Sequence, residues 1–121
     1  MIRFLLPGAA ALLLLAAVPA GAADLTRAAR NYDAYCAQCH GVNRDGKGVN
    51  TAAMAVQPRD HTDAKGMESL PDDQIFKAIK DGGLGVNKSV LMPAWGSVMS
   101  DAEIKDLVAY LRQVCKCGPG R

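Results

Sequence analysis

Two cysteines and a histidine, Cys36-Ala37-Gln38-Cys39-His40, gather the most reactive side chains of this chain into one short stretch. On a helix, positions three apart are neighbours on one face, about 5–6 Å between Cβ atoms. Both thiols can therefore reach the same flat molecule. The spacing suits two thioether bonds to the vinyl groups of a single haem. The adjoining imidazole can then swing under the porphyrin and ligate iron, a role histidine often fills. C-x-x-C-H is accordingly the pattern of a c-type haem attachment site. Two other chemistries compete for these cysteines. A redox dithiol expects a βαβ setting, and no strand-like alternation surrounds residues 36–40. A four-thiolate zinc site could borrow Cys115 and Cys117, since zinc favours four sulfur or imidazole ligands, but it leaves His40 unused.

Iron held by one histidine has a sixth position to fill. Beyond residue 22 the methionines are Met54, Met67, Met92 and Met99. Met92 stands out because Pro93 follows it in an irregular segment. Proline removes a backbone donor and biases the preceding residue toward an extended conformation, which presents a side chain inward from a loop. Met99 precedes Ser100, where a residue of a hydrophobic staple would sit, so core packing suits it better. Met54 and Met67 have no special setting. Met54, Met99, His61 and an open sixth site remain the alternatives to Met92. His61, in Pro58-Arg59-Asp60-His61-Thr62-Asp63, reads as a solvated loop histidine or a partner for a haem propionate. Arg59 could pair with a propionate as well, or be an ordinary surface arginine.

The elements that must position these groups are helical. Asp24 can cap a first helix over residues 24–40, with Leu25, Ala28, Ala29, Tyr32, Tyr35 and Cys36 at helical spacing. Tyr32 and Tyr35 read as core. Residues 41–69 break the pattern with Gly41, Gly46, Gly48, Pro58 and Gly66. A loop of that length is uncommon in a compact domain and makes sense if it wraps a cofactor. Thr51 to Val56 could add a short helical turn. Pro71 suits the first turn of a second helix, Ile75, Phe76 and Ile79 form its stripe, and Gly82-Gly83 stops it. A second irregular segment, residues 84–99, carries Leu91-Met92-Pro93-Ala94-Trp95-Gly96. Ser100 and Glu103 form a capping box that opens the most regular helix, with Ile104, Leu107, Val108, Leu111, Val114 and Cys115 in register and Gly118 and Pro119 at its end. No strand is expected. The fold class is all-α: three main helices with long loops around one cofactor.

Residues 1–22 read as a signal peptide: Arg3 is the positive start, Ala9 to Val18 the apolar region, and Ala20-Gly21-Ala22 an A-x-A cleavage site. Pro7, Gly8, Pro19 and Gly21 argue against an uncleaved membrane anchor. Residues 23–121 then form one domain without a second membrane-length apolar run. Haem attachment outside the cytoplasm and export to the periplasm agree with each other. With 14 basic and 12 acidic residues the chain is close to neutral, which argues against a nucleic-acid partner. The surplus pair Cys115 and Cys117 falls in an oxidising compartment, where thiols tend to pair. Cys115 reads as a buried small hydrophobe and Cys117 as exposed, in a monomer with free thiols or a labile bond, the small ring being hard to close.

Cys36-x-x-Cys39-His40-Gly41, the glycine-rich loop, Met92-Pro93-x-Trp95-Gly96 and a capped last helix with Ala109-Tyr110-Leu111 together resemble a class I monohaem cytochrome c. The resemblance spans residues 24–114. It implies first and last helices that cross, with one haem c bound through Cys36 and Cys39 and ligated by His40 and Met92. It also implies a periplasmic electron carrier rather than an enzyme, docking weakly with redox partner proteins at a haem edge that Lys47, Lys65 and Lys88 could frame. Alternatives are a haem c subunit of a larger respiratory or oxidoreductase complex, and a peroxidase-like or gas-binding protein if Met92 is labile. The tail cysteines and His61, where an aromatic or apolar residue is expected, depart from the pattern.

Overall fold

The computed structural model describes residues 21–118. The signal peptide expected over residues 1–22 lies outside the described residues save for its last two, as does Pro119. Among the described residues the chain is all-helical, with no strands. Helix α1 spans Leu25–Tyr35, α2 Ala37–His40, α3 Ala64–Glu68, α4 Asp72–Asp81 and α5 Asp101–Cys115, with a 3-10 turn at Gly83–Val86.

Helix α1 begins where the Asp24 carboxylate accepts the Arg27 backbone N–H at 2.9 Å, satisfying one of the donors a helix start leaves open. Its stripe buries Ala28 and Tyr32 against the face of α5 formed by Ile104, Leu107, Val108 and Leu111. An ion pair from Arg27 to Asp106 at 2.5 Å ties the same two helices. Helix α5 starts with the expected capping box, Ser100 and Glu103 bonding each other's backbone N–H.

The expected first helix does not run unbroken to residue 40. Cys36 leaves the α1 ladder at φ −112°, and α2 restarts as a single turn, its His40 N–H bonding back to the Cys36 carbonyl at 2.8 Å. The break re-aims the motif. Thr51 to Val56 forms turns rather than a helical turn, and the helical turn of the long loop is α3 instead. There Met67 is 1% exposed and packs in the core against α5. Helix α4 stops at Gly82, whose φ of 76° suits glycine.

Three further expectations are corrected. Tyr35 lies on the wall of a cavity, 37% exposed, its ring tilted 43° against Trp95 with centroids 5.3 Å apart, while Tyr32 alone joins the core. His61 is buried, not solvated. Cys117 is buried, not exposed, and of the two states expected for the tail, free thiols or a Cys115–Cys117 bond, the structure has the bond. That pairing also withdraws both from any four-thiolate zinc site. Among the described residues no three His, Cys, Asp or Glu side chains gather as metal ligands, and no helix is long and apolar enough to cross a membrane.

Candidate functional site

The loops and helices enclose a cavity of about 750 Å³, within the range of pockets that hold small ligands and cofactors, about 300–1,000 Å³. Cys36, Cys39 and His40, from one short stretch, and Met92, from a distant segment, all line it. Ile75, Ile79, Leu107 and Leu111 supply apolar wall from α4 and α5. Both cysteines of the motif are free. Burial, helped by the neighbouring Cys39, pushes the Cys36 thiol up to about 12, so it is held as the protonated thiol at neutral pH.

His40 is fixed from its far side. Its Nδ1 lies 3.0 Å from the Arg59 carbonyl, and because a carbonyl only accepts, Nδ1 carries the proton. Nε2 keeps its lone pair, the arrangement of a ligating imidazole oriented by an outer hydrogen bond. Burial lowers the His40 pKa, against the raising influence of the Arg59 carbonyl, and keeps the ring neutral. Sequence reasoning considered the Arg59 side chain; the contribution lies in its backbone.

Two glycines shape the walls by close approach. A Cβ on Gly48 would run into the backbone of Gln38 and Cys39, where the Gly48 N–H bonds the Cys39 carbonyl at 3.0 Å; the long loop thus lies directly on the motif. At the Met92 segment a Cβ on Gly82 would sit 2.8 Å from the Met92 carbonyl. The Gly83 N–H bonds that carbonyl at 3.0 Å. The Trp95 and Gly96 N–H groups bond carbonyls of Ile79 and Lys80 at the end of α4. The Met92 segment is therefore pinned to the end of α4 on both sides of Pro93.

Of the other candidates, Met54 and Met67 reach the cavity wall, whereas Met99 is core and does not line it. His61 lines the cavity, and so does Arg59. Lys88 stands on the wall; Lys47 and Lys65 do not.

A family profile described as "Cytochrome C oxidase, cbb3-type, subunit III" matches residues 23–111. The chain belongs to this family of c-type cytochromes. Among solved structures the cytochrome is similar to the "KustC0563 c-type cytochrome", at 24% identity and a TM-score of 0.55, over 72% of this chain and 95% of that one. That likeness shows the fold. No curated protein sequence matches. A cytochrome c domain implies haem c and haem-based electron transfer with redox partners, and the cavity fits that group: a largely apolar slot carrying two free thiols, a neutral imidazole held by its Nδ1 and a thioether on its walls.

Sequence reasoning missed Arg112. It lies on α5 yet is 7% exposed. Its Nη1 donates to the Met67 carbonyl at 2.7 Å, its Nη2 to the Leu70 carbonyl, and its Nε to Asp72 at 2.7 Å. Met67 and Leu70 both line the cavity, so Arg112 braces that wall from behind. The only sequence signal was a cation inside an apolar stripe, directly after Leu111.

Proposed function

We propose that this cytochrome is a one-electron carrier between periplasmic redox proteins, with one haem c bound covalently through Cys36 and Cys39 and ligated by His40 and Met92. The observation that carries the reading is the convergence of these four side chains, from two segments some fifty residues apart, on the wall of one cavity. The bound haem would supply an iron that cycles between ferric and ferrous, taking one electron from a donor protein and giving it to an acceptor. The chain's part is to hold that group still. The Arg59 carbonyl fixes the tautomer of His40. The end of α4 and the Gly82-Gly83 step hold Met92 in place. Apolar side chains of α4 and α5 exclude water, which with ligand identity tunes the potential. The expected periplasmic location follows from the signal peptide read over residues 1–22.

The family match favours a second reading, in which the same domain serves as the haem c subunit of a larger oxidoreductase complex. Both require the same site. Mass spectrometry under denaturing conditions tests it: purified protein from cells with a haem-attachment system should show the mature chain plus one haem. An unmodified mass would overturn the reading. Co-purification from native membranes separates the two roles, a stoichiometric partner set pointing to the subunit and its absence to the free carrier.

A further inference from the structure

His61 sits in a polar turn, between Asp60 and Thr62, yet is 9% exposed. Burying an imidazole is unfavourable unless its polar atoms are bonded. Its Nδ1 shares a 2.9 Å hydrogen bond with the Tyr32 hydroxyl, and its backbone N–H bonds the Arg44 carbonyl at 2.8 Å. Asp60 accepts from the Thr62 backbone and hydroxyl at 2.8 and 2.6 Å, fixing the turn on the other side. So held, the His61 ring lies face to face with His40, centroids 4.3 Å apart and planes 16° from parallel.

Tyr32 is itself immobile. It is 1% exposed, leans on Tyr110 at 5.8 Å and is covered by the Arg44 guanidinium at 4.8 Å. Its carbonyl also accepts the Cys36 N–H at 2.8 Å. One residue of α1 thus grips the motif through its backbone and, by way of His61, the ring of His40 through its side chain.

The geometry divides the work. The Arg59 carbonyl holds His40 at one edge only, so a single hydrogen bond resists rotation of the ring about its Cβ–Cγ bond. A parallel ring against its face blocks that rotation, and the Tyr32 hydroxyl prevents the blocking ring from turning in its place. We propose that Tyr32 and His61 form a positioning pair that sets the plane of the His40 imidazole. An apolar ring at residue 61 would fill the same volume, but nothing would fix its orientation. This inference rests on the reading of His40 as an axial ligand.

The plane of an axial imidazole decides how its π electrons mix with the iron d orbitals, so a rotated ring changes the g values of the ferric low-spin signal. The test uses the full chain carrying its haem, in wild type, Tyr32→Phe, His61→Ala, His61→Phe and Met99→Ala. Met99 is buried away from the cavity wall, so Met99→Ala reports destabilisation alone. Low-spin EPR spectra, reduction potentials and melting temperatures are measured on each. Tyr32→Phe and His61→Ala should shift or broaden the g values beyond the wild-type linewidth and displace the potential, with His61→Phe lying between His61→Ala and wild type. Met99→Ala should lower the melting temperature and leave the g values unchanged. If Tyr32→Phe and His61→Ala keep wild-type g values and potential while melting earlier, the pair is packing only and the proposal fails. A wild type without a low-spin histidine-ligated haem would instead overturn the underlying site assignment, and the proposal with it.

Discussion

Replacing Arg112 with methionine removes its hydrogen bonds to Asp72, Met67 and Leu70, and a weak one to the Cys117 sulfur, while filling much of the same volume. Their contributions differ. The Asp72 carboxylate is 53% exposed, and pairs in contact with water contribute only about 0.2–1 kcal/mol. The Met67 and Leu70 carbonyls are the larger matter. Hydrogen bonds to a charged group contribute about 1.5–3 kcal/mol each. Allowing for water reaching the partly buried Leu70 carbonyl, the pair is worth about 3 kcal/mol. In a domain of this size each kcal/mol moves the melting temperature by about 4–8 °C, so Arg112→Met should melt roughly 12–24 °C lower. Asp72→Asn should cost under about 1 kcal/mol. Thermal melts of the ferric haem protein at neutral pH, followed by far-ultraviolet circular dichroism, give both values. If Asp72→Asn costs as much as Arg112→Met, the ion pair is the anchor and the ranking drawn here is wrong.

Met92→Ala should abolish the weak charge-transfer band of oxidised His–Met haem and lower the potential; Met99→Ala should keep the band and cost about 2–5 kcal/mol in denaturant titrations. Loss of the band in Met99→Ala alone would transfer the ligand role. Gly83→Ala drives a Cβ into the Ser89 carbonyl and against the Met92 side chain, so it should weaken or remove the same band although residue 83 contributes no ligand. An unchanged spectrum would show that the Met92 segment adapts freely. The Glu103 carboxyl is held below its usual range chiefly by the Ser100 backbone N–H and then by the Ser100 hydroxyl. A carboxylate favoured in the fold stabilises it above its unfolded pKa, and that support is lost as pH falls through the folded pKa. Ser100→Ala should therefore lower stability at neutral pH and show a smaller further loss than wild type on acidification through the glutamate range, read by urea unfolding at several pH values.

What was legible in the sequence was local. The Met92-Pro93 step, the Gly82 stop and the Ser100 capping box each depend on residues a few positions apart, and the structure places each on the expected element; the C-x-x-C-H motif is helical as expected, but on a turn of its own after the break at Cys36. What was not legible depends on distant partners. Arg112 drew no reading because the carbonyls that justify its burial lie 45 and 42 residues earlier. His61 reads as solvated because Tyr32, which satisfies it, is 29 residues away. The burial of Cys117 follows from the chain folding back past the end of α5, where Lys116 takes a left-handed conformation at φ 51°. Tyr35, at the last position of α1, faces the cavity instead of the α5 core.

The order of these parts along the chain has a consequence for assembly. The two free thiols belong to the first helical segments, while Leu107, Leu111 and the Arg112 brace belong to the last. A chain emerging amino-terminus first displays both thiols before it owns the wall that will cover them. The residue pair tying the two ends, Arg27 and Asp106, is separated by 79 positions and can form only once both segments are available. A bulky planar group bound to those thiols would therefore have an open chain to join, with no folded pocket to reopen.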